Sequence, residues 1–238
     1  MGEEILKVEN LTVEFYGQKA VDDVNFAVKK GEVLAIVGPN GSGKSVLFRA
    51  LLGLVPYNGK VEWKKSIKIS YVPQKLAIEK DFPLTAGEFM MLRGVRPCQE
   101  IEKVIERVGL HKKNKKYGWL LDKKLGQLSS GQFQRLLIAS SLTGKPDVLL
   151  FDEPMAGIDM AGEETIYELF RKLQSSDSLT VILISHDLNV VHDFTDIVLC
   201  LNRKQICFGR PHEVLDHKIL HHLYGEDVKQ HHHDLSIL

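Results

Sequence analysis

The string GPNGSGKS at residues 38–45 limits the folds open to this chain more than any other stretch. It fits the spacing G-x-x-x-x-G-K-[ST] and lies between the apolar run VLAIV (33–37) and a segment whose pattern predicts a helix from Lys44 to about Leu54. A run that is apolar at every position predicts a strand covered on both faces. A glycine-rich turn from such a strand into a helix can aim backbone N–H groups at one point, and the helix N-terminus favours an anion there. Gly38, Pro39, Asn40, Gly41, Ser42, Gly43, Lys44 and Ser45 are therefore read as a phosphate-binding loop. Lys44 is expected to reach the β- and γ-phosphates of ATP, and the Ser45 hydroxyl to ligate Mg2+.

VLLFDEP (148–154) supplies a complement. Asp152, at the end of a second apolar run, can face the same Mg2+, and Glu153 can take a proton from an attacking water or hold that water in line. Alone, an acidic pair at a strand end would be an ordinary surface feature. Downstream of a phosphate loop it reads as the hydrolytic half of an ATPase.

The remaining pattern supports an α/β chain. ILKVENLTVEFYG and VNFAV read as strands, followed by GKVEW and IKISYV. From Thr85 to Thr143 apolar residues recur at three- and four-residue spacings, which predicts helices. Alternation then returns: strand 148–152, helix 162–174, strand LTVILIS, helix DLNVVHDF and strand DIVLCL. Strands alternating with helices predict a parallel sheet, and the helical block then reads as an insertion into it. The expected organisation is one nucleotide domain over 1–215, with residues 75–144 as the helical insertion and 216–238 as a tail.

Composition excludes some functions. Lys+Arg and Asp+Glu both number 31 in 238 residues, so there is no global basic field for nucleic acid, and no nucleic-acid partner is expected. The local basic run HKKNKK (111–116) reads as a solvated loop or helix end, or as a contact for lipid head groups or a partner. Cys98, Cys200 and Cys207 form no CxxC and are too few for a disulfide framework, so they are expected to be reduced thiols in or near the core. The acidic start MGEEILKVEN lacks a signal-peptide pattern, and Leu6 breaks the myristoylation pattern. No apolar run approaches the length of a spanning helix. A cytosolic chain, linked to a membrane only through a partner, is expected.

LSSGQFQR (128–135) resembles the LSGGQ signature of the ATP-binding cassette (ABC) ATPases, and it stands between the two nucleotide motifs as in that family. The resemblance implies a P-loop NTPase (RecA-like) core, an antiparallel β subdomain and an inserted α-helical subdomain. It also implies that Ser129, Ser130, Gly131 and Gln132 close over the ATP of a second copy, giving a head-to-tail dimer with two ATPs. Ser130 departs from the usual glycine. Gln74 in YVPQK is similar to the family's Q-loop glutamine, which contacts Mg2+ and the attacking water. His186 in LISHDL resembles the switch histidine that contacts the γ-phosphate. MAGID (155–159) aligns with the D-loop, with Asp159 as the cross-subunit contact, although its wording differs from the common SALD. Tyr16 resembles the aromatic that stacks on adenine; core packing is the alternative for that side chain.

Several later stretches, VLCLNRKQICFG above all, resemble the ATP-binding subunits of zinc/manganese ABC importers. That resemblance implies separate integral-membrane permease subunits, an extracytoplasmic metal-binding protein, and a peripheral place on the cytoplasmic face of the inner membrane. A transporter for another cargo, or a cassette serving iron–sulfur assembly or cell division, remains open, because a cassette does not fix its cargo. Phe89, Met90, Met91 and Leu92 are either core of the helical insertion or an adaptable apolar surface for a membrane partner. His217, His221, His222, His231, His232 and His233 mark the tail as either passive or a weak metal-sensing segment. The HxxxHH spacing at 217–222 is compatible with one helical face.

Overall fold

The computed structural model describes residues 2–74, 78–94, 98–110, 118–153, 169–174 and 178–224. The basic run 111–116, Asp159, most of the helix expected over 162–174, and His231, His232 and His233 lie outside the described residues. The chain divides into two compact units, Met1–Lys64 with Ile182–Leu238, and Lys65–Val181.

In the first unit, β1 (Glu4–Phe15) pairs antiparallel with β2 (Gln18–Lys29) and with β4 (Asn58–Trp63). The β1–β2 turn uses Tyr16 and Gly17 at φ 50° and 77°, the paired positive dihedrals that suit a tight hairpin. β3 (Val33–Val37) is buried at every position and runs parallel to β8 (Ile197–Asn202). With β7 (Thr180–Ile184) and β9 (Lys204–Gly209) the strand order is β4-β1-β2-β9-β8-β3-β7. β9, which periodicity did not reveal, folds back antiparallel on β8 and meets β2 in parallel at Asp22↔Lys204.

That hairpin corrects the reading of the cysteines as separate reduced thiols. Its register sets Cys200 opposite Cys207, with Cα atoms 4.8 Å apart, and the two form a disulfide. A hairpin pairs residues across its turn whatever their spacing in sequence, which a scan for CxxC motifs cannot see.

Helix α1 (Lys44–Leu51) is shorter than expected because Gly53 ends it. At φ 68°, Gly53 donates to Ala50, and Leu54 donates to Arg49. These two hydrogen bonds satisfy carbonyls left over at the last turn. The Trp63 indole donates to Leu51 at 2.9 Å and occupies another. Leu47 and Phe48 bury the inner face of α1, each contributing about 1.5–3 kcal/mol.

In the second unit, β5 (Ile69–Val72) runs parallel to β6 (Val148–Asp152), from Ile69↔Val148 to Val72↔Phe151. The helices are α2 (Ala86–Leu92), α3 (Cys98–Arg107), α4 (Gly118–Leu121) and α5 (Ser130–Leu142). A capping box starts α2, with Glu88 accepting from the Thr85 amide and hydroxyl, and these bonds hold the Glu88 carboxyl below its ordinary value. The α2 residues then divide: Met90 is core, whereas Met91 and Leu92 are 59% and 74% exposed. Phe151 of β6 meets Phe170 edge-on at 5.0 Å. Among the described residues, no helix is long and apolar enough to cross a membrane.

Candidate nucleotide site

The first unit carries the phosphate loop. The chain leaves β3 at Gly38, and the Ser42 amide donates to the Pro39 carbonyl at 3.2 Å. The Ser42 carbonyl accepts from Arg203 at 2.8 Å, which ties the loop to the β8–β9 turn. Lys44 Nζ folds back onto the loop and donates to the Gly38 and Pro39 carbonyls at 2.7 and 2.9 Å. A cation held in this way, at the start of a helix, is placed to exchange carbonyl oxygens for phosphate oxygens. The Ser45 hydroxyl group belongs to an exposed residue one step further on.

Two glycines have no substitute here. A Cβ on Gly38 would lie 2.0 Å from the Leu201 carbonyl oxygen, and one on Gly43 would lie 2.4 Å from that of Ala20. Gly43 also sits at φ 99°. Gly43→Ala is expected to cost about 2–4 kcal/mol in a urea titration, since strain and overlap add. An unchanged midpoint would contradict this geometry.

At the same end of the first unit, the Ser185 amide donates to Ile36 at 3.2 Å, so β7 ends beside β3. His186 follows and is exposed. Asp187 then caps the next helix, α6 (Leu188–Phe194), accepting from Asn189 at 2.9 Å and Val190 at 3.3 Å. The cap fixes where the strand stops, and hence where His186 emerges. Tyr16 has a relative exposure of 104%, which rules out core packing and leaves its ring open to stack on a planar ligand.

The second unit carries the acidic groups. Because β5 and β6 are parallel and in register, Gln74 and Glu153 leave their strands side by side, and Gln74 Nε2 donates to the Glu153 carboxylate. Glu153 is a non-glycine residue at φ 45°, a strained conformation of the kind found where a side chain must be aimed. Asp152 is 7% exposed, and its Oδ2 accepts from the Tyr71 hydroxyl at 3.3 Å. Nothing in the sequence singled out Tyr71. Its link to Asp152 comes from the strand register, which places it one strand over.

The stretch 128–135 opens α5. Ser129 is its N-cap: its hydroxyl accepts from Gln132 at 3.2 Å, and Gln132 Oε1 accepts from the Ser129 amide at 3.2 Å. This reciprocal pair leaves Ser130 and Gly131 in the first turn, whose amides have no carbonyl within the helix to bond. A Cβ on Gly131 would meet nothing within 4 Å. Arg135 donates to Val108 at 2.6 Å and so anchors this helix to the end of α3. Ser129→Ala is expected to lower stability by about 1 kcal/mol, read by urea denaturation.

A phosphate loop on an α/β strand–helix turn, with an aspartate and glutamate ending a buried parallel strand, defines a P-loop ATPase. Residues 21–156 match the family described as ABC transporter. The zinc import ATP-binding protein ZnuC of Wigglesworthia glossinidia brevipalpis is 37% identical over 94% of this chain and 94% of its own length. ZnuC of Rhizobium johnstonii is 38% identical over 98% of this chain and 77% of its own. Among solved structures, CbiO1 from Clostridium perfringens, part of the ABC transporter complex CbiONQ, superposes with a TM-score of 0.75 at 30% identity, covering 92% and 93% of the two chains. The chain belongs to the ABC transporter family. It binds ATP and is an ATPase of that family.

Proposed function

We propose that this chain hydrolyses ATP to power the uptake of a divalent metal ion, zinc first and manganese second, through separate permease subunits in the membrane. One observation carries the choice of cargo: relatives similar over nearly the whole chain are zinc import ATP-binding proteins. A strain lacking this chain should stop growing when zinc is chelated and recover with added zinc. Recovery with manganese alone would move the cargo to manganese, and recovery with neither would remove the metal reading.

In this reading residues 38–45 hold ATP, Tyr16 stacks on adenine, and His186 meets the γ-phosphate. Glu153 accepts the proton of the attacking water, and Gln74, already bonded to Glu153, orients that water. Ser45, Gln74 and Asp152 offer only oxygen donors, the set that suits Mg2+. Bound there, the ion would neutralise charge on the phosphates. The Tyr71 hydroxyl holds the Asp152 carboxylate in one orientation for that task.

A second copy supplies Ser129, Ser130, Gly131, Gln132 and Asp159 to the same ATP, head to tail. Capping by the Ser129–Gln132 pair keeps the α5 amides aimed outward for that role. The chain works peripherally on the cytoplasmic face of the membrane, and an extracytoplasmic metal-binding protein delivers the cargo to the permease. Residues 1–215 form the nucleotide domain, with 75–144 as its helical insertion. Met91 and Leu92, exposed on α2, suit contact with the permease.

A further inference from the structure

The turn of the β8–β9 hairpin bears directly on the phosphate loop. The Leu201 carbonyl oxygen fills the space that a Cβ on Gly38 would need. Arg203 donates its amide to the Ser42 carbonyl at 2.8 Å, and its own carbonyl accepts from the Asp22 amide at 2.7 Å. Asp22 belongs to β2, the strand whose Ala20 carbonyl closes on Gly43. One short turn therefore supports the loop at Gly38 and at Ser42, and ties it to the strand that flanks Gly43.

The Cys200–Cys207 disulfide spans this turn and closes a ring around residues 201–206. The ladder between β8 and β9 is regular from Val198↔Gly209 to Cys200↔Cys207, then slips by one residue before Leu201↔Gln205. The disulfide thus sits where backbone pairing stops holding the strands in step, at the base of the turn. Two helices, α7 (Pro211–Val214) and α8 (His217–Tyr224), pack on the same two strands. The segment read from sequence as a tail therefore begins as a built element, with Leu223 buried.

We propose that Cys200 and Cys207 form a redox clasp on the ATP site. Closed, the disulfide holds residues 201–204 against the phosphate loop and keeps ATP affinity high. Reduced, it frees the turn to relax, and ATP affinity falls. Disulfides in cytosolic proteins are mostly transient and either catalytic or redox-sensing, which suits such a role on the cytoplasmic face of a membrane. The inference rests on the reading of residues 38–45 as the ATP site. The reductant is a dithiol. Its thiolate attacks the Cys207 sulfur, because Cys207 is 9% exposed and Cys200 is fully buried, and expels the Cys200 thiolate. The second thiolate then displaces Cys207 from the mixed disulfide. Two electrons and two protons pass to the chain, which gains two thiols, and the dithiol leaves as a cyclic disulfide.

In calorimetric titration of the full chain with ATP, Kd is expected to be about three- to tenfold higher after dithiothreitol than after oxidised glutathione. Alkylation in denaturant checks the state: of the three cysteines, one reacts in the closed form and three in the open form. The double variant Cys200→Ala, Cys207→Ala should bind ATP as the reduced chain does and ignore the reductant. A disulfide that only stiffens the fold lowers Tm on reduction and leaves Kd within about twofold, and that result overturns the proposal. Three reacting thiols after oxidised glutathione, or a double variant whose Kd still follows the reductant, overturn it as well. The first comparison uses the wild-type chain, so it decides even where the double variant does not fold. Lys44→Ala separates the two levels. If it binds ATP as wild type does, the ATP-site reading has failed; if it loses ATP while the wild-type Kd ignores the redox state, only the clasp has.

Discussion

Glu153→Gln is expected to lower ATP turnover by at least about a hundredfold, the scale set by loss of a general base. Binding of ATP should survive, because in the proposed reading residues 38–45, and not Glu153, hold the nucleotide. The amide keeps the size of the side chain and can still pair with Gln74, so the strand end and its strained φ of 45° should persist. What disappears is the proton acceptor. If ATP clamps two copies and hydrolysis frees them, the variant should accumulate as an ATP-bound dimer. Size exclusion with ATP and Mg2+ reads this directly. Turnover near wild type would remove Glu153 from the reaction, and an equal dimer fraction in both proteins would remove the clamp.

Lys44→Ala is expected to weaken ATP binding by about ten- to a hundredfold, the loss of one or two charge-assisted bonds to phosphate. It should also destabilise the protein, because Lys44 bonds two loop carbonyls, Gly38 and Pro39. Lys44 is 7% exposed, so water replaces those bonds poorly. About 1–3 kcal/mol is expected in urea denaturation. Lys44→Arg keeps a cation but asks a planar fork to fit a site shaped for a point charge, so it should recover part of the stability and little of the affinity. Loss of stability without loss of affinity would make Lys44 a structural residue of the loop.

Local rules made the strand–loop–helix at 33–51 legible, because three signals agree there: continuous apolarity, glycines where the chain turns, and a helical pattern starting at Lys44. The same holds for the Ser129 cap, where a hydroxyl three residues before a glutamine is a helix-start signal by itself. Features that depend on register were not legible. β9 needs the turn at Arg203 (φ 60°), and nothing in NRKQ announces a residue with positive φ. Once β9 folds back, Cys200 must face Cys207. The Tyr71–Asp152 bond likewise links residues 81 positions apart and exists only because β5 and β6 are parallel and in register. The early end of α1 could have been found, since Gly53 is a common helix stop. The helix at 217–224 was visible only as histidine spacing; its anchoring by Leu223 and Tyr224 is a tertiary fact.

If ATP hydrolysis by this chain drives a metal ion through a separate permease, the coupling can be read in a reconstituted membrane. Proteoliposomes would hold the permease, with this chain and ATP on one side and the extracytoplasmic binding protein with labelled zinc on the other. Zinc is expected to accumulate on the side of this chain, in a manner that needs ATP and Mg2+ and is abolished by Glu153→Gln. Vigorous ATP hydrolysis with no zinc movement, or zinc movement unchanged by Glu153→Gln, would contradict it.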